Sequence, residues 1–369
     1  MSGKPLPVCA VLLAGGRGTR FWPRSRMGTP KQLLNIAGGR SMLRETAARL
    51  APVFGQRNLW AVTNAEQAAG VRRELRGVPA AHILAEPVGR NTAAAIGLAA
   101  IHLAHEHADA LMAVVPADSH ITDAARYRAL VLAALQQARG EGTMVVLGIP
   151  PTRPETGFGY IERGAVCARP RGIRAYDVKR FTEKPSLARA RRYVASGKYL
   201  WNAGMFFWRA STFLENLKCY LPSTHAALIG LGETIGTRKY ASALRRIYPR
   251  LENISVDFAV MEPATRVSGR CRVSVIPAQV GWSDLGSWAS VYELLAAKPD
   301  ENVFAGPFVA LDAEGNYFWS PKKFVAAIGV HNLVLVETDD AILLCSRDRS
   351  QDVGKIVKWL EAKGKKELL

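Results

Sequence analysis

The sequence predicts an α/β fold, a mostly parallel mixed sheet with helices on both faces, followed by a small β-rich C-terminal domain. Two observations carry this. Through the first half of the 369 residues, short apolar runs alternate with longer Ala-rich helical stretches. After Lys298-Pro299-Asp300 the texture changes to short strands separated by turn residues. The boundary is drawn there, giving one domain over residues 1–298 and another over 299–369. No low-complexity linker marks it, so the two are expected to pack together.

Taken in order, residues 8–14 form a continuous apolar run, the pattern of a strand buried on both faces. Residues 59–63, 82–85, 111–115 and 143–149 read as further strands, with helices over 41–50, 91–107 and 124–139. Asn91 and Thr92 carry side-chain oxygens suited to capping the second helix. Strand, helix, strand in repetition requires right-handed crossovers and so parallel strands. Beyond Pro150, residues 175–185 and 200–208 predict strands, each followed by a helix. A short helix is expected over 253–261, a strand over 271–277 and a helix over 286–295. Residues 302–345 break into short strands, and a final helix is expected over 351–362.

Composition narrows the function classes. An apolar fraction of 49% supports a sizeable core. No stretch approaches the roughly 18 apolar residues of a membrane helix, and the first seven residues lack the parts of a signal peptide. A cytoplasmic protein without a membrane partner is expected. The five cysteines are scattered singly, which fits neither a disulfide framework nor a zinc ribbon. The net charge of +18 favours anionic ligands. Its densest runs, residues 189–192 and 363–366, read as solvated helix faces. Basic residues are nowhere interleaved with aromatics on one element, so no nucleic-acid partner is expected. His102, His105 and His107 with Glu106 form no His-Glu-x-x-His and read as a polar helix end.

The strongest local signal is Leu13-Ala14-Gly15-Gly16-Arg17-Gly18-Thr19-Arg20, leaving the first strand directly. Glycines there let the backbone approach phosphates and aim N–H groups at them. It is not the dinucleotide fingerprint, which needs Gly where Phe21 stands, nor a Walker loop, which ends in Gly-Lys-Ser/Thr. Phe21-Trp22-Pro23-x-Ser25-Arg26 and Pro30-Lys31-Gln32 follow. Arg17, Arg20 and Lys31 near such a loop are suited to clamping a triphosphate during attack at phosphorus. Val114-Val115-Pro116-Ala117-Asp118 puts a carboxylate at the C-terminal end of a buried strand, where open α/β sheets bind ligands.

These motifs resemble those of the nucleotide-sugar pyrophosphorylases, and their Phe-Trp-Pro and Pro-Lys-Gln forms resemble the mannose-1-phosphate guanylyltransferase branch. Further segments agree in order. Glu86-Pro87-x-Gly89-Arg90-Asn91-Thr92 is similar to a nucleotide-facing loop at a helix N-terminus, and Thr156-Gly157-Phe158-Gly159-Tyr160-Ile161 to a sugar-side glycine loop. Phe181-Thr182-Glu183-Lys184-Pro185 resembles Phe-Val-Glu-Lys-Pro, and Trp282-Ser283-Asp284-Leu285-Gly286-Ser287-Trp288 supplies a second carboxylate.

The resemblance implies a Rossmann-like nucleotidyltransferase domain and a short β-helix-like C-terminal domain that often pairs subunits, hence a homodimer. It implies transfer of a guanylyl group from GTP to mannose 1-phosphate, giving GDP-mannose and pyrophosphate by in-line attack on the α-phosphorus. An ionised phosphate is already nucleophilic, so no protein nucleophile or general base is needed. By the same resemblance Asp118 and Asp284 hold Mg²⁺, Arg20 and Lys31 act on the triphosphate, and Lys184 acts on the sugar phosphate. Nucleotide contacts fall to Leu13, Ala14, Gly15, Gly16, Gly18, Thr19, Glu86, Asn91 and Thr92, and sugar contacts to Gly157, Glu183 and Asn202. Two positions depart from the pattern: Ser119 intervenes before His120, putting a role for that histidine in doubt, and Thr182 replaces an apolar residue. Another sugar phosphate or base is an alternative. A non-catalytic homologue would have lost Arg20, Lys31, Asp118, Lys184 or Asp284, and all are present. Many relatives in the branch add an isomerase domain; the chain beyond residue 299 is too short for one, so a single activity is expected.

Overall fold

The computed structural model describes residues 6–36, 38–266 and 271–369. In chain order the larger domain contains strands β1 (Val8–Leu13), β2 (Leu59–Asn64), β3 (Ile83–Glu86), β4 (Leu111–Pro116), the two-residue β5 (His120–Ile121), β6 (Thr143–Ile149), β7 (Tyr160–Ala168), β8 (Ala175–Thr182), β9 (Tyr199–Arg209), β10 (Arg272–Pro277) and the two-residue β11 (Trp282–Ser283). Nine of them form one sheet in the order β3-β2-β1-β4-β9-β6-β10-β8-β7. The β3-β2-β1-β4 part is parallel, as helical crossovers between apolar strands require. β9 then runs antiparallel to both β4 and β6, and β8 and β7 close the other side antiparallel.

The helices are α1 (Met42–Phe54), α2 (Ala68–Glu74), α3 (Asn91–Glu106), α4 (Ala124–Gln137), α5 (Leu187–Ser196), α6 (Ala210–Tyr220), α7 (Pro222–Gly232), α8 (Tyr240–Ile247), the short α9 (Glu262–Ala264) continuing a π-helical turn at Asp257–Met261, and α10 (Trp288–Leu295). Strand alternation divides the core in two. Cys9 and Val11 of β1 join a cluster with α3, α6 and α7, whereas Ala10 and Leu12 join α1 and α4 on the opposite face. The result is a helix–sheet–helix sandwich.

Two local expectations are corrected. Asn91 and Thr92 do not cap α3 as a conventional pair. Asn91 is the first helical residue, at φ 62°, and its Oδ1 accepts from the Thr92 N–H at 2.9 Å. The Thr92 hydroxyl instead accepts from the Val256 N–H at 2.8 Å, so a tertiary tie to the Asp257 turn outcompetes local capping. β7 has no counterpart in the sequence reading, because Glu162-Arg163-Gly164 interrupts its apolar residues and its second half is exposed or partly exposed.

The C-terminal domain comprises β12 (Val303–Ala305), β13 (Phe308–Leu311), β14 (Tyr317–Trp319), β15 (Val325–Ile328), β16 (Leu333–Glu337), β17 (Ile342–Ser346) and α11 (Val353–Ala362). β12, β14 and β16 stack in parallel, and so do β13 and β15, the arrangement of successive β-helix coils. A buried asparagine fixes one corner. Asn316 donates to Asn302 Oδ1 at 2.9 Å and to the Val330 carbonyl at 2.9 Å, and accepts from the Leu333 N–H at 2.9 Å. Pairing every group in this way is what makes a buried amide tolerable.

A third core joins the two domains. Phe21, Trp22, Leu285 and Trp288 pack there against Tyr317, Val334, Val353 and Val357. Trp288 stacks on Tyr317 with ring centroids 5.6 Å apart and meets Phe21 edge-on at 5.0 Å. Its indole N–H donates to the Trp22 carbonyl at 3.1 Å, and the Trp22 indole donates to the Leu368 carbonyl at 2.8 Å. Burying a large side chain of this kind contributes about 1.5–3 kcal/mol, so several together hold the β-helix firmly behind the glycine loop.

Candidate active site

The glycine loop is fastened before any ligand is considered. Thr63 Oγ1 and Gln32 Nε2 donate to the Ala14 carbonyl at 2.9 and 2.7 Å, and Gln32 reaches the Gly16 carbonyl at 3.1 Å and Gln67 Oε1 at 3.0 Å. Gly18 adopts φ 62°, and a Cβ there would stand 2.3 Å from Lys31 Cβ. Both the conformation and the space demand glycine.

Lys31 lies against that glycine with its side chain only 7% exposed. Its ammonium donates to Asp118 Oδ2 at 2.9 Å and to the Asp284 carbonyl at 2.6 Å. The two aspartates come from distant parts of the chain. They meet because β5 pairs with β11 antiparallel, His120 opposite Ser283 and Ile121 opposite Trp282. Asp118 just precedes one strand and Asp284 just follows the other, so both fall at the same end of this ladder. Burial raises the Asp284 pKa; Lys31 opposes the rise and the like charge of Asp118 adds to it.

These residues open on a chamber of about 490 Å³ that Arg20, Lys31, Gly157, Glu183, Asn202 and Asp284 help to line. A neighbouring chamber of about 330 Å³ is lined by Leu13, Gly15, Gly16, Glu86, Asn91 and Thr92. Pro116, Asp118, Gly204 and Asp257 belong to both. The cleft is therefore bipartite, with Asp118 on the wall between its halves.

Most of the expected site residues line this cleft, and a few do not. Gly18 and Thr19 border the larger chamber and not the one that holds the rest of the loop. Ala14 borders neither; its side chain is buried and its carbonyl anchors the loop. Lys184 stands outside both chambers at φ 46°, its side chain 57% exposed and its ammonium 3.6 Å from Glu183 Oε1. Arg17 pairs with Glu361 of α11 at 2.7 Å, which takes it out of the cluster of cations. His120 borders a separate small cavity shared with Glu45 and Arg49, and burial, then Arg49, lowers its pKa. His102 is spent on Tyr240, 2.7 Å away, and among the described residues no cluster of three or more His, Cys, Asp or Glu forms a metal cage.

Three contributors escape the sequence reading. Asp257, at the start of the π-helical turn, borders both chambers and accepts from Asn202 Nδ2 at 2.7 Å. Asn202 Oδ1 accepts from the Gly204 N–H at 2.9 Å, so both ends of this amide are fixed. Single π turns are frequent at functional sites, but nothing in Ser255-Val256-Asp257-Phe258 marks one in advance. Gln32 is the second, visible in the sequence only as a neighbour of Lys31. Tyr248 is the third: its hydroxyl donates to Glu86 Oε1 at 2.5 Å.

Two buried acids remain to be accounted for. Burial pushes the Glu86 pKa up to about 7, with the bond from Tyr248 working against it. Burial, then the charge of Asp257, pushes Glu183 up to about 7, with Lys184 opposing. Glu183 Oε2 is buried without a partner, and a Cβ on Gly159 would stand 2.4 Å from it. A buried acceptor left without a partner is uncommon in folded proteins. Asp118 and Asp284 form a different kind of donor set. A hard divalent ion takes one or two carboxylates and completes its shell with phosphate oxygens and water, and their mutual repulsion is what a cation relieves.

Residues 9–301 match the nucleotidyl transferase family, and residues 306–360 match the MannoseP isomerase/GMP-like beta-helix domain. The chain belongs to the nucleotidyl transferase family. It is 39% identical over 365 residues to the xanthan biosynthesis protein XanB of Xanthomonas campestris pv. campestris (strain B100), covering 98% of this chain and 74% of that protein. It is 39% identical over 363 residues to a mannose-1-phosphate guanylyltransferase of Escherichia coli (strain K12), covering 97% and 74%. A crystal structure from Thermus thermophilus, described as a mannose-1-phosphate geranyltransferase, superposes with a TM-score of 0.86 at 35% identity, over 96% of this chain and 100% of that one. Residues 306–360 fall in the β-rich C-terminal part of the chain.

The tight seat of Gly18 yields a test of the loop. Gly18→Ala is expected to lower unfolding stability by about 1–3 kcal/mol, measured by urea denaturation; a change below about 0.5 kcal/mol would contradict the contact with Lys31.

Proposed function

We propose that this nucleotidyltransferase moves the guanylyl group of GTP to mannose 1-phosphate, giving GDP-mannose and pyrophosphate. The observation that carries it is the meeting of Lys31, Asp118 and Asp284 where two chambers of unequal character join. The likeness to mannose-1-phosphate guanylyltransferases over nearly the whole chain supports the substrate pair. Residues 1–298 carry the chemistry in this reading, and 299–369 brace the glycine loop from behind.

The chamber beside Leu13, Gly15 and Gly16 receives the nucleotide. Guanine presents two adjacent N–H donors on one edge, and a carboxylate is acceptor-only, so ionised Glu86 is matched to guanine and mismatched to adenine. Asn91 and Thr92 border the same chamber at the N-terminus of α3, which favours negative charge. The larger chamber receives the sugar phosphate. Glu183 Oε2 accepts from a sugar hydroxyl, and Asn202, its amide held by Asp257 and Gly204, offers its remaining N–H. Gly157 and Gly159 leave room for the ring. Asp257 is a positioning residue, acting through Asn202.

Arg20 and Lys31 draw the triphosphate toward Asp118, and Lys184, at the rim, meets the sugar phosphate. An oxygen of the sugar phosphate attacks the α-phosphorus opposite the leaving pyrophosphate, one P–O bond forming as another breaks, and positioning and charge neutralisation supply the catalysis. Asp118 and Asp284 are the residues that would hold Mg²⁺, which supplies charge neutralisation on the phosphates when bound.

Two further assignments belong to this reading. The cysteines form no disulfide among the described residues, as suits a reducing compartment, and we place the enzyme in the cytoplasm. No helix among the described residues is long and apolar enough to cross a membrane. We place the homodimer on β13 and β15 of the C-terminal domain, where Val309 and Leu311 share a strand face and Ile328, opposite Leu311, is 69% exposed. Apolar patches of this kind mark contact surfaces.

Pyrophosphate release tests the reaction. GTP with mannose 1-phosphate and Mg²⁺ is expected to surpass ATP, CTP, UTP or dTTP and glucose 1-phosphate. Asp118→Ala and Asp284→Ala are each expected to lower kcat by at least about 10³-fold. A different preferred pair would move the substrates; no release from any pair would overturn the reading. For the base, the KM for GTP should fall as pH rises through about 7, because only ionised Glu86 accepts both guanine donors. Glu86→Gln should raise that KM by about 10–100-fold and flatten the pH dependence; an unchanged profile would remove Glu86 from recognition. Analytical ultracentrifugation should show a dimer at micromolar concentration and a monomer for Ile328→Glu, and a monomeric parent protein would exclude the pairing.

A further inference from the structure

We infer that the chain carries a second anion site, a basic groove outside the catalytic cleft that takes a small molecule bearing a diphosphate or longer phosphate chain. The groove has a volume of about 840 Å³ and shares no lining residue with the two chambers. Its floor is the end of β8, with Lys179 and Arg180. One wall is α5, from which Arg189, Arg192, Tyr193 and Ser196 project at spacings of three, four and seven residues, a single helix face. A further part of the lining is Glu262 of α9 with Thr265 and Arg266 just beyond it.

Charge is what distinguishes this concavity. Glu262 is the one acid in its lining, and it is bonded to Arg266. Lys179, Arg180, Arg189 and Arg192 also line the groove and form no ion pair among the described residues, although Glu162 stands opposite Arg180 across the β7–β8 ladder. Four unmatched cations around one hollow repel each other and concentrate counter-anions. Arginine forks suit phosphate oxygens, each offering two donors in one plane. A chain of phosphates offers enough oxygens to meet cations on the strand and on the helix together. The run at 189–192, which reads in the sequence as a solvated helix face, so turns two of its arginines toward a cavity of ligand size.

The groove is also joined to the sugar side of the cleft through β8. β8 passes from Phe181 and Thr182 into Glu183 and Lys184, and the Phe181 N–H donates to Thr265 Oγ1 at 3.2 Å. α9 continues the turn that begins at Asp257.

Calorimetric titration of the full chain with inorganic pyrophosphate, without divalent metal, tests the site. It reads binding and not turnover, so it is independent of the substrates proposed above. The parent protein is expected to bind at two sites. Arg189→Glu/Arg192→Glu should weaken one of them by at least about tenfold and leave the other, while Arg20→Ala should do the reverse. Both α5 arginines are exposed, and circular dichroism checks that the helix persists; Lys179→Ala/Arg180→Ala, on the strand side, must produce the same loss. Titration with GDP separates the sources: affinity equal to that of pyrophosphate means a free phosphate chain suffices, and tighter binding means a nucleotide is the ligand. One pyrophosphate site in the parent protein, or affinities unchanged in both groove variants, would overturn the proposal.

Discussion

The ammonium of Lys31 joins three parts of the chain that the sheet alone does not bring together. It follows the glycine loop, pairs with Asp118 beyond β4, and donates to the backbone of Asp284 beyond β11. A buried cation costs several kcal/mol unless its partners are well placed, so the loop, the strand end and the ladder must all be in position for any of them to be comfortable. Gly18 makes the approach possible by having no side chain where Lys31 packs. The arrangement fixes the floor of the cleft as one unit, with the glycine loop on one side and both carboxylates on the other.

That unit has a rigid back. Phe21 and Trp22, immediately after the glycine loop, are buried in the core shared with the β-helix, and Arg17 reaches α11 through Glu361. The C-terminal domain is thus structurally continuous with the glycine loop, and positioning on this scale is what phosphoryl transfer demands. Asn316 holds the β-helix to its own geometry, and Trp288 holds it to the catalytic domain.

What is legible in the sequence follows from local physics. A buried parallel strand must be apolar throughout, so β1, β2, β4 and β6 stand out, and with them the position of Asp118 just past a strand end. The glycine loop and its cations are legible because phosphate binding needs that composition. The convergence of Asp118 with Asp284 is not, since it depends on a ladder of two residue pairs between β5 and β11, too short for any periodicity. Asp257 is hidden for a related reason: the helix over 253–261 is legible, but its π turn, which aims the carboxylate into the cleft, is a tertiary outcome. Arg17 looks like a third phosphate cation because its partner, Glu361, lies 344 residues away in the chain. β7 escapes because its exposed half has no core to pattern it.

The claim on which the account turns is that Asp118 and Asp284 act on one ion beside bound nucleotide. Mn²⁺ binding followed by electron paramagnetic resonance, with a non-hydrolysable GTP analogue present, measures it. The account predicts tight Mn²⁺ in the parent protein, its loss in both Asp118→Asn and Asp284→Asn, and its retention in Glu183→Gln. Mn²⁺ that stays bound after Asp284→Asn would contradict the convergence at the centre of the site.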